Sequence, residues 1–209
     1  MVGRLITSDA CVREGVAWLS AQDPRWAEAA ARLGPLPLRL RASGFQALLD
    51  AITGQQVSVA SADAVWRRLD AAGLTRPEGI LSASDEDLRA CGMSRQKTRY
   101  ARALAEAALD YDALERLPDE ALIAELVRLP GIGRWTAEIY AMFSLGRADV
   151  FAPGDLALQE AARMVFGLEA RPGEKALRAM AEAWSPWRSV AARVLWGHYG
   201  LAKSREGIR

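Results

Sequence analysis

Apolar residues recur along most of the chain at the three- and four-residue spacing of a helix that buries one face. Phe45, Leu48, Leu49 and Ile52 fall at i, i+3, i+4 and i+7, and after a polar break, TGQQVS, the pattern resumes at Ala62, Val65, Trp66 and Leu69. RQKTRYARALAEAALD and DEALIAELVRL predict two further helices, while GEKALRAMAEAW and PWRSVAARVLWGHYG predict those that close the chain. No segment sustains the period-two alternation of a strand. Proline or glycine punctuates the pattern every ten to twenty residues or so, which predicts about ten short helices joined by tight turns. Residues 1–40 carry a softer helix or two and then GPLPLRL, an extended connector. With no repeat, low-complexity stretch or long linker, the expectation is a single all-α domain spanning 1–209.

One junction stands out. In LPGIGRWTAEIY, Leu129–Tyr140, a helix begun near Asp119 must stop at Leu129, because Pro130 disfavours helical geometry in the residue before it. Gly131 and Gly133 allow a sharp turn without a Cβ, and a new helix starts at about Arg134. Backbone N–H groups at such a helix start, with the positive end of the helix dipole, can hold a phosphate oxygen without reading any base. On the pattern alone a plain turn remains the equal alternative.

Composition narrows the setting. The chain is 209 residues long, 51% hydrophobic and 25% charged, the balance of a soluble globular protein. No stretch approaches the roughly 18 apolar residues that span a bilayer, and MVGRLITSDA lacks the apolar run of a signal peptide, so the expected location is cytoplasmic. Cys11 and Cys91 are too far apart in sequence for a metal or redox motif, and both are expected as buried thiols. A net charge of +1 gives, by itself, no argument for a nucleic-acid partner. Its distribution says more. SRQKTRYARA, Ser94–Ala103, has four basic residues and no acid, and Arg171–Arg209 has eight basic and three acidic. Either run could follow a phosphate backbone or form a solvated face.

LPGIGRWTAEIYAMF followed by DVFAPGDLAL resembles the helix-hairpin-helix and Gly/Pro…Asp signature of the HhH-GPD DNA glycosylase superfamily. AITGQQVSVASA and PWRSVAARVLW make the chain similar to the 3-methyladenine DNA glycosylase II (AlkA-like) type. Four motifs in order cover roughly 35–200, whereas the first forty residues depart from longer members, which carry an extra β-containing amino-terminal domain. The resemblance implies two helical lobes around a DNA-binding cleft, with the helix-hairpin-helix at 118–145 and the catalytic Asp loop and helix at 149–165. It implies a monofunctional enzyme, a monomer without cofactor or catalytic metal, that removes alkylated bases such as 3-methyladenine and 7-methylguanine from double-stranded DNA and leaves an abasic site.

Site residues follow motif by motif. Asp155 in APGDLAL matches the motif's aspartate, a carboxylate that would stabilise the sugar cation and orient water; read without the resemblance, it is a helix N-cap. Asp149 has no matching role and reads as structural. Trp135 shares a stripe with Ile139, Met142 and Phe143 and so reads as core, yet the resemblance places it in the base pocket. Trp196 stands nine residues from Trp187, about 900° or half a turn off its face, beside Ser189 and Arg193. That geometry sets it away from the core stripe, and the resemblance puts it too in the base pocket.

Gln55 and Gln56 match the intercalating loop, with Gln56 at the wedge that fills the gap left by a flipped base. Gly131, Ile132, Gly133, Arg134 and Thr136 match the phosphate-binding hairpin, where the family pattern also allows a monovalent cation. No second catalytic acid stands out, and His198 is the only histidine. That suits a base alkylated at a ring nitrogen, which is already cationic and leaves neutral; aromatic faces select it by stacking and cation–π attraction. Where strand-nicking relatives carry a lysine, this chain has Trp135, and it lacks the four-cysteine cluster of the iron–sulfur branches. Two other readings stay open: a non-catalytic helix-hairpin-helix DNA-binding protein and a helical protein–protein module.

Overall fold

Short apolar runs between caps and breakers produce an all-helical chain. The computed structural model describes residues 2–206, with side chains for 2–204; Arg209 and the side chain of Arg205, both in the carboxy-terminal basic run, lie outside this description. Thirteen α-helices are present among the described residues: α1 (Asp9–Gln22), α2 (Pro24–Ala31), α3 (Phe45–Thr53), α4 (Val59–Ala71), α5 (Pro77–Ser82), α6 (Asp85–Ala90), α7 (Arg95–Glu106), α8 (Tyr111–Glu115), α9 (Asp119–Val127), α10 (Arg134–Phe143), α11 (Leu156–Phe166), α12 (Glu174–Ala181) and α13 (Arg188–Glu206). A 3-10 turn, Glu182–Trp184, leads towards α13. The number exceeds the expected ten because α5, α6 and α8 have six, six and five residues. Elements of under two turns are too short to show a period.

The chain divides into two units. The first is built mainly of Arg41–Tyr140. Its central helix is α7, against which α3, α5 and α6 pack. Leu48, Leu49 and Ile52 of α3 are fully buried, as are Leu69, Ile80, Leu88, Ala101 and Leu122. Serine caps mark the helix starts: Ser58, Ser84 and Ser94 each accept a backbone N–H three residues on.

The second unit joins Gly3–Leu40 to the chain from Ala141 onward. Here α13 is central, with α1, α2 and α11 against it, and Val190, Ala191, Ala192, Val194 and Leu195 are buried. Trp26, Phe151, Phe166 and Trp184 form an aromatic cluster with ring centroids 5.1–5.6 Å apart. The amino-terminal segment pairs with the turn after α10, where Ile6 N–H donates to Gly146 O and Ala148 N–H to Arg4 O. Cys91 is buried as expected; Cys11 is only half-buried. It sits in the first turn of α1, where Ser8 and Thr7 hydroxyls lie 3.4 and 3.9 Å from its sulfur, and these contacts lower the thiol pKa to about 7.

Candidate active site

In the first unit, α9 ends at Val127 and α10 begins at Arg134, so the turn between them occupies the residues that proline and glycine predict. Ile132 anchors the turn by burying its side chain, and its N–H donates to Leu129 O at 3.1 Å. Gly131 has φ +88, and a Cβ there would overlap the Tyr100 ring of α7. This position therefore needs glycine for two separate reasons. Gly133 is exposed and has open space around it. The first-turn N–H groups of α10, those of Arg134 to Thr136 among them, have no acceptor within the helix. Arg134 is occupied otherwise: its guanidinium holds Glu138 at 2.9 Å and Glu120 at 2.9 Å. Burial works against the Arg134 charge, but the hydrogen bonds and charges of Glu120 and buried Glu138 outweigh it and raise the guanidinium's pKa, so the side chain locks α10 to α9. What Arg134 offers at the turn is its backbone.

The polar break after α3 is tied to this hairpin. Gln55 Nε2 donates to Gly131 O at 2.7 Å. Gln56 is exposed at the tip with φ +56, a left-handed conformation that strains a non-glycine residue by roughly 1–2 kcal/mol. The structure thus separates two residues that the sequence grouped: Gln55 is held down and Gln56 is presented, with exposed Val57 and Val59 beside it. Both ends of α3 are fixed. Gly44 N–H donates to Tyr140 Oη of α10 at 2.9 Å, and Lys97 Nζ of α7 donates to Thr53 O at 2.7 Å. Burial alone depresses the Lys97 pKa, whereas burial and then the neighbouring Tyr140 push the Tyr111 hydroxyl upward. These long-range ties have no local sequence signal. Trp135, in the first turn of α10, is 47% exposed. Its predicted core stripe fails there because Ile139 is only half-buried, while Met142 and Phe143 further along are buried.

In the second unit, FAPGD leads into α11. Asp155 is the N-cap, and its Oδ1 accepts from Ala157 N–H at 2.9 Å and Leu158 N–H at 3.0 Å. The loop before it is pinned by Asp155 N–H to Ala152 O and by the buried Gln159, whose Nε2 donates to Pro153 O at 2.8 Å. Phe151, Ala152 and Pro153 are buried, Gly154 is exposed and Asp155 is half-buried. The carboxylate is thus set at a surface in one orientation. Asp149 is structural as read: Arg188 grips both its oxygens at 2.7 and 3.0 Å, and Ser185 donates at 2.8 Å.

Trp196 is half-buried, its ring 5.7 Å from that of Phe143. The expected neighbours Ser189 and Arg193 are not on an open face; both are buried. Early α13 is enclosed all round, which no helical wheel reveals. Arg193 lies 4.7 Å from the Phe143 ring centroid and donates to Ser189 O and Leu38 O. Burial, then the nearby Arg39, lowers its pKa to about 10. No group of three or more His, Cys, Asp or Glu side chains that could hold a metal occurs among the described residues.

Comparison with known proteins adds the relatives. The sequence profile of the HhH-GPD superfamily of base excision DNA repair proteins matches residues 49–188. The alkylbase DNA glycosidase-like protein mag2 of Schizosaccharomyces pombe is 29% identical over 190 residues, 85% of this chain and 89% of that protein. DNA-3-methyladenine glycosylase 1 of the same yeast is 32% identical over 174 residues, 79% of this chain and 76% of that one. Among solved structures, the DNA-3-methyladenine glycosidase of Bacillus halodurans aligns with a TM-score of 0.82 at 35% identity, covering 91% of each chain. Mag1 of S. pombe, a 3-methyladenine DNA glycosylase in complex with abasic DNA, aligns with a TM-score of 0.77 at 29% identity, covering 88% of this chain and 95% of that one.

Proposed function

The chain belongs to the HhH-GPD superfamily of base excision DNA repair proteins, and we propose that it hydrolyses the N-glycosidic bond of alkylated bases, chiefly 3-methyladenine and 7-methylguanine, in double-stranded DNA. The relatives named for this activity support the reading. The observation that carries it is Asp155, a half-buried carboxylate held by two backbone donors at the start of α11.

As the bond between C1′ and the base nitrogen breaks, the base takes the electron pair and leaves neutral, and the sugar becomes an oxocarbenium ion. The Asp155 carboxylate stabilises that cation and orients a water, whose oxygen bonds to C1′ and whose proton is lost. Preorganisation is supplied by the cap, since a carboxylate already oriented has little to rearrange. The product is an intact abasic site.

The remaining roles fit this chemistry. The backbone donors of Gly131 and of Gly133 to Thr136 hold a phosphate without reading sequence, while the Ile132 N–H closes the turn onto Leu129 O. Gln56 is the wedge, at a tip that Gln55 braces against the hairpin. Trp135 and Trp196 each offer a ring face to an electron-poor base. A monovalent cation at the hairpin would take carbonyl oxygens; those of Leu129 and Gly131 each already accept one hydrogen bond and keep a second lone pair. The protein acts as a monomer in the cytoplasm, and no helix among the described residues is long and apolar enough to cross a membrane.

The test is incubation with methylated duplex DNA and identification of the released bases, followed by borohydride. Free methylpurines and an abasic strand that breaks only after alkali are expected. A covalent protein–DNA adduct would reveal a lyase residue and overturn the hydrolytic reading, and absence of any released base would leave a DNA-binding protein.

A further inference from the structure

The two sides of α7 face different surroundings. Lys97 and Tyr100 turn towards α3 and the hairpin, as the Thr53 bond and the contact beneath Gly131 require. Arg95, Thr98 and Arg99 lie about 100–160° from them around the helix axis at 100° per residue, and no role proposed above uses them. With Asp85 and Arg89 of α6 they line a cavity of about 540 Å³.

The charges around this cavity do not balance. Asp85 is already neutralised by Arg102, 2.9 Å away, and Arg89 is paired with Glu86 at 2.6 Å. Arg95 and Arg99 are exposed and have no ion-pair partner among the described residues. They are also badly placed for stability alone. Both stand near the positive end of α7, whose first turn contains no acid, and they repel each other at i, i+4. Thr98 supplies an independent sign. It is only 3% exposed, and its Oγ1 is buried with no hydrogen-bond partner. Mid-helix hydroxyls at such depth are normally bonded.

We propose that the α6–α7 cavity is a second phosphate-binding site, on the side of α7 away from the hairpin. Arg95 and Arg99 would clamp the phosphate oxygens, and the Thr98 hydroxyl would donate to the same group. The phosphate would relieve the repulsion between the two guanidiniums and satisfy the orphaned hydroxyl. Either a phosphodiester of a nucleic-acid strand or free phosphate presents this chemistry. The site does not depend on base excision.

The experiment compares wild type, Arg95→Gln/Arg99→Gln and Thr98→Val in inorganic phosphate and in chloride of matched ionic strength. Phosphate at ten times its Kd favours the folded state about elevenfold and raises the wild-type Tm by roughly 3–6 °C. The double variant, freed of the repulsion between the guanidiniums, should keep or slightly raise its Tm in chloride and lose most of the phosphate-dependent rise; Thr98→Val should lose part of it. Equal responses from wild type and the double variant would overturn the proposal, since phosphate at the hairpin is common to both. The source follows from duplex DNA titrated against salt. A phosphodiester ligand lowers the slope of log Kd against log salt by about 1 per arginine in the double variant, whereas an unchanged slope with a lost phosphate response identifies free phosphate.

Discussion

Replacing Gly131 by alanine should destabilise the hairpin through two separable effects. The residue sits at φ +88, where an L side chain costs about 1–2 kcal/mol. The new Cβ also overlaps the Tyr100 ring, and that ring cannot swing freely because its hydroxyl accepts from Gln96 Nε2 at 2.6 Å. Overpacking of this kind costs about 1–3 kcal/mol. Together they predict a loss of about 2–5 kcal/mol, or roughly 4–20 °C in Tm for a chain of this size. Thermal melts and urea titrations of Gly131→Ala, Tyr100→Ala and the double variant separate the two effects. In the Tyr100→Ala background the steric cost disappears, so adding alanine at 131 should cost only the backbone share of about 1–2 kcal/mol. Gly133→Ala is the control. Its Cβ meets nothing within 4 Å and its φ is not positive, so stability should stay within about 0.5–1 kcal/mol. Duplex DNA affinity should nonetheless fall about 5–10-fold, because alanine keeps the N–H but sets its methyl in the open space through which a phosphate would approach, at a cost comparable to one hydrogen bond. An equal cost for Gly131→Ala in both backgrounds would refute the steric reasoning, and unchanged DNA binding by Gly133→Ala would refute the phosphate role.

Trp196→Ala removes a half-buried ring packed on Phe143; it should cost about 1–3 kcal/mol of stability, less than a fully buried tryptophan, and at least ~10-fold in excision per folded molecule through lost stacking. A lower melting temperature with unchanged excision per folded molecule would make it a packing residue only. Cys11 should be alkylated by iodoacetamide with a midpoint near pH 7, and Ser8→Ala should move that midpoint towards the ordinary value of 9.0. Because the folded pKa lies below the unfolded one, this thiolate's contribution to stability is present in full above pH 9, declines as pH falls from 9 to 7 and is lost below; a midpoint near 9 would contradict the Ser8 and Thr7 contacts.

The hairpin was legible because proline and glycine act locally: Pro130 ends one helix, Gly131 turns the backbone, and α10 starts at the predicted Arg134. Asp155 was equally plain, since an aspartate ahead of an apolar run announces a cap, and the cap and the proposed catalytic carboxylate are one side chain. What escaped depends on residues far apart in sequence. Gln55 and Gly131 are separated by 76 positions, so nothing near Gln55 marks it as a brace rather than a second wedge. Periodicity identifies a face but not what covers it. Hence Trp135 proved exposed on an apparent core stripe, and Ser189 and Arg193 proved buried where the wheel suggested an open side. Cys11 resembled any apolar thiol until the hydroxyls of Thr7 and Ser8 came within reach of it.

The central claim is that the Asp155 carboxylate acts on a developing sugar cation and does not merely cap α11. Asp155→Asn separates these roles. The amide keeps an oxygen that can accept from Ala157 and Leu158 N–H, so the cap and the fold should survive, whereas the negative charge is gone. Single-turnover release of 7-methylguanine from duplex DNA, at saturating enzyme and with the Tm of both proteins in hand, measures the difference. The expected result is an unchanged melting temperature, unchanged DNA affinity and a release rate lower by ~10² or more. A variant that is folded, binds DNA and releases the base at the wild-type rate would show that Asp155 is a helix cap and nothing else.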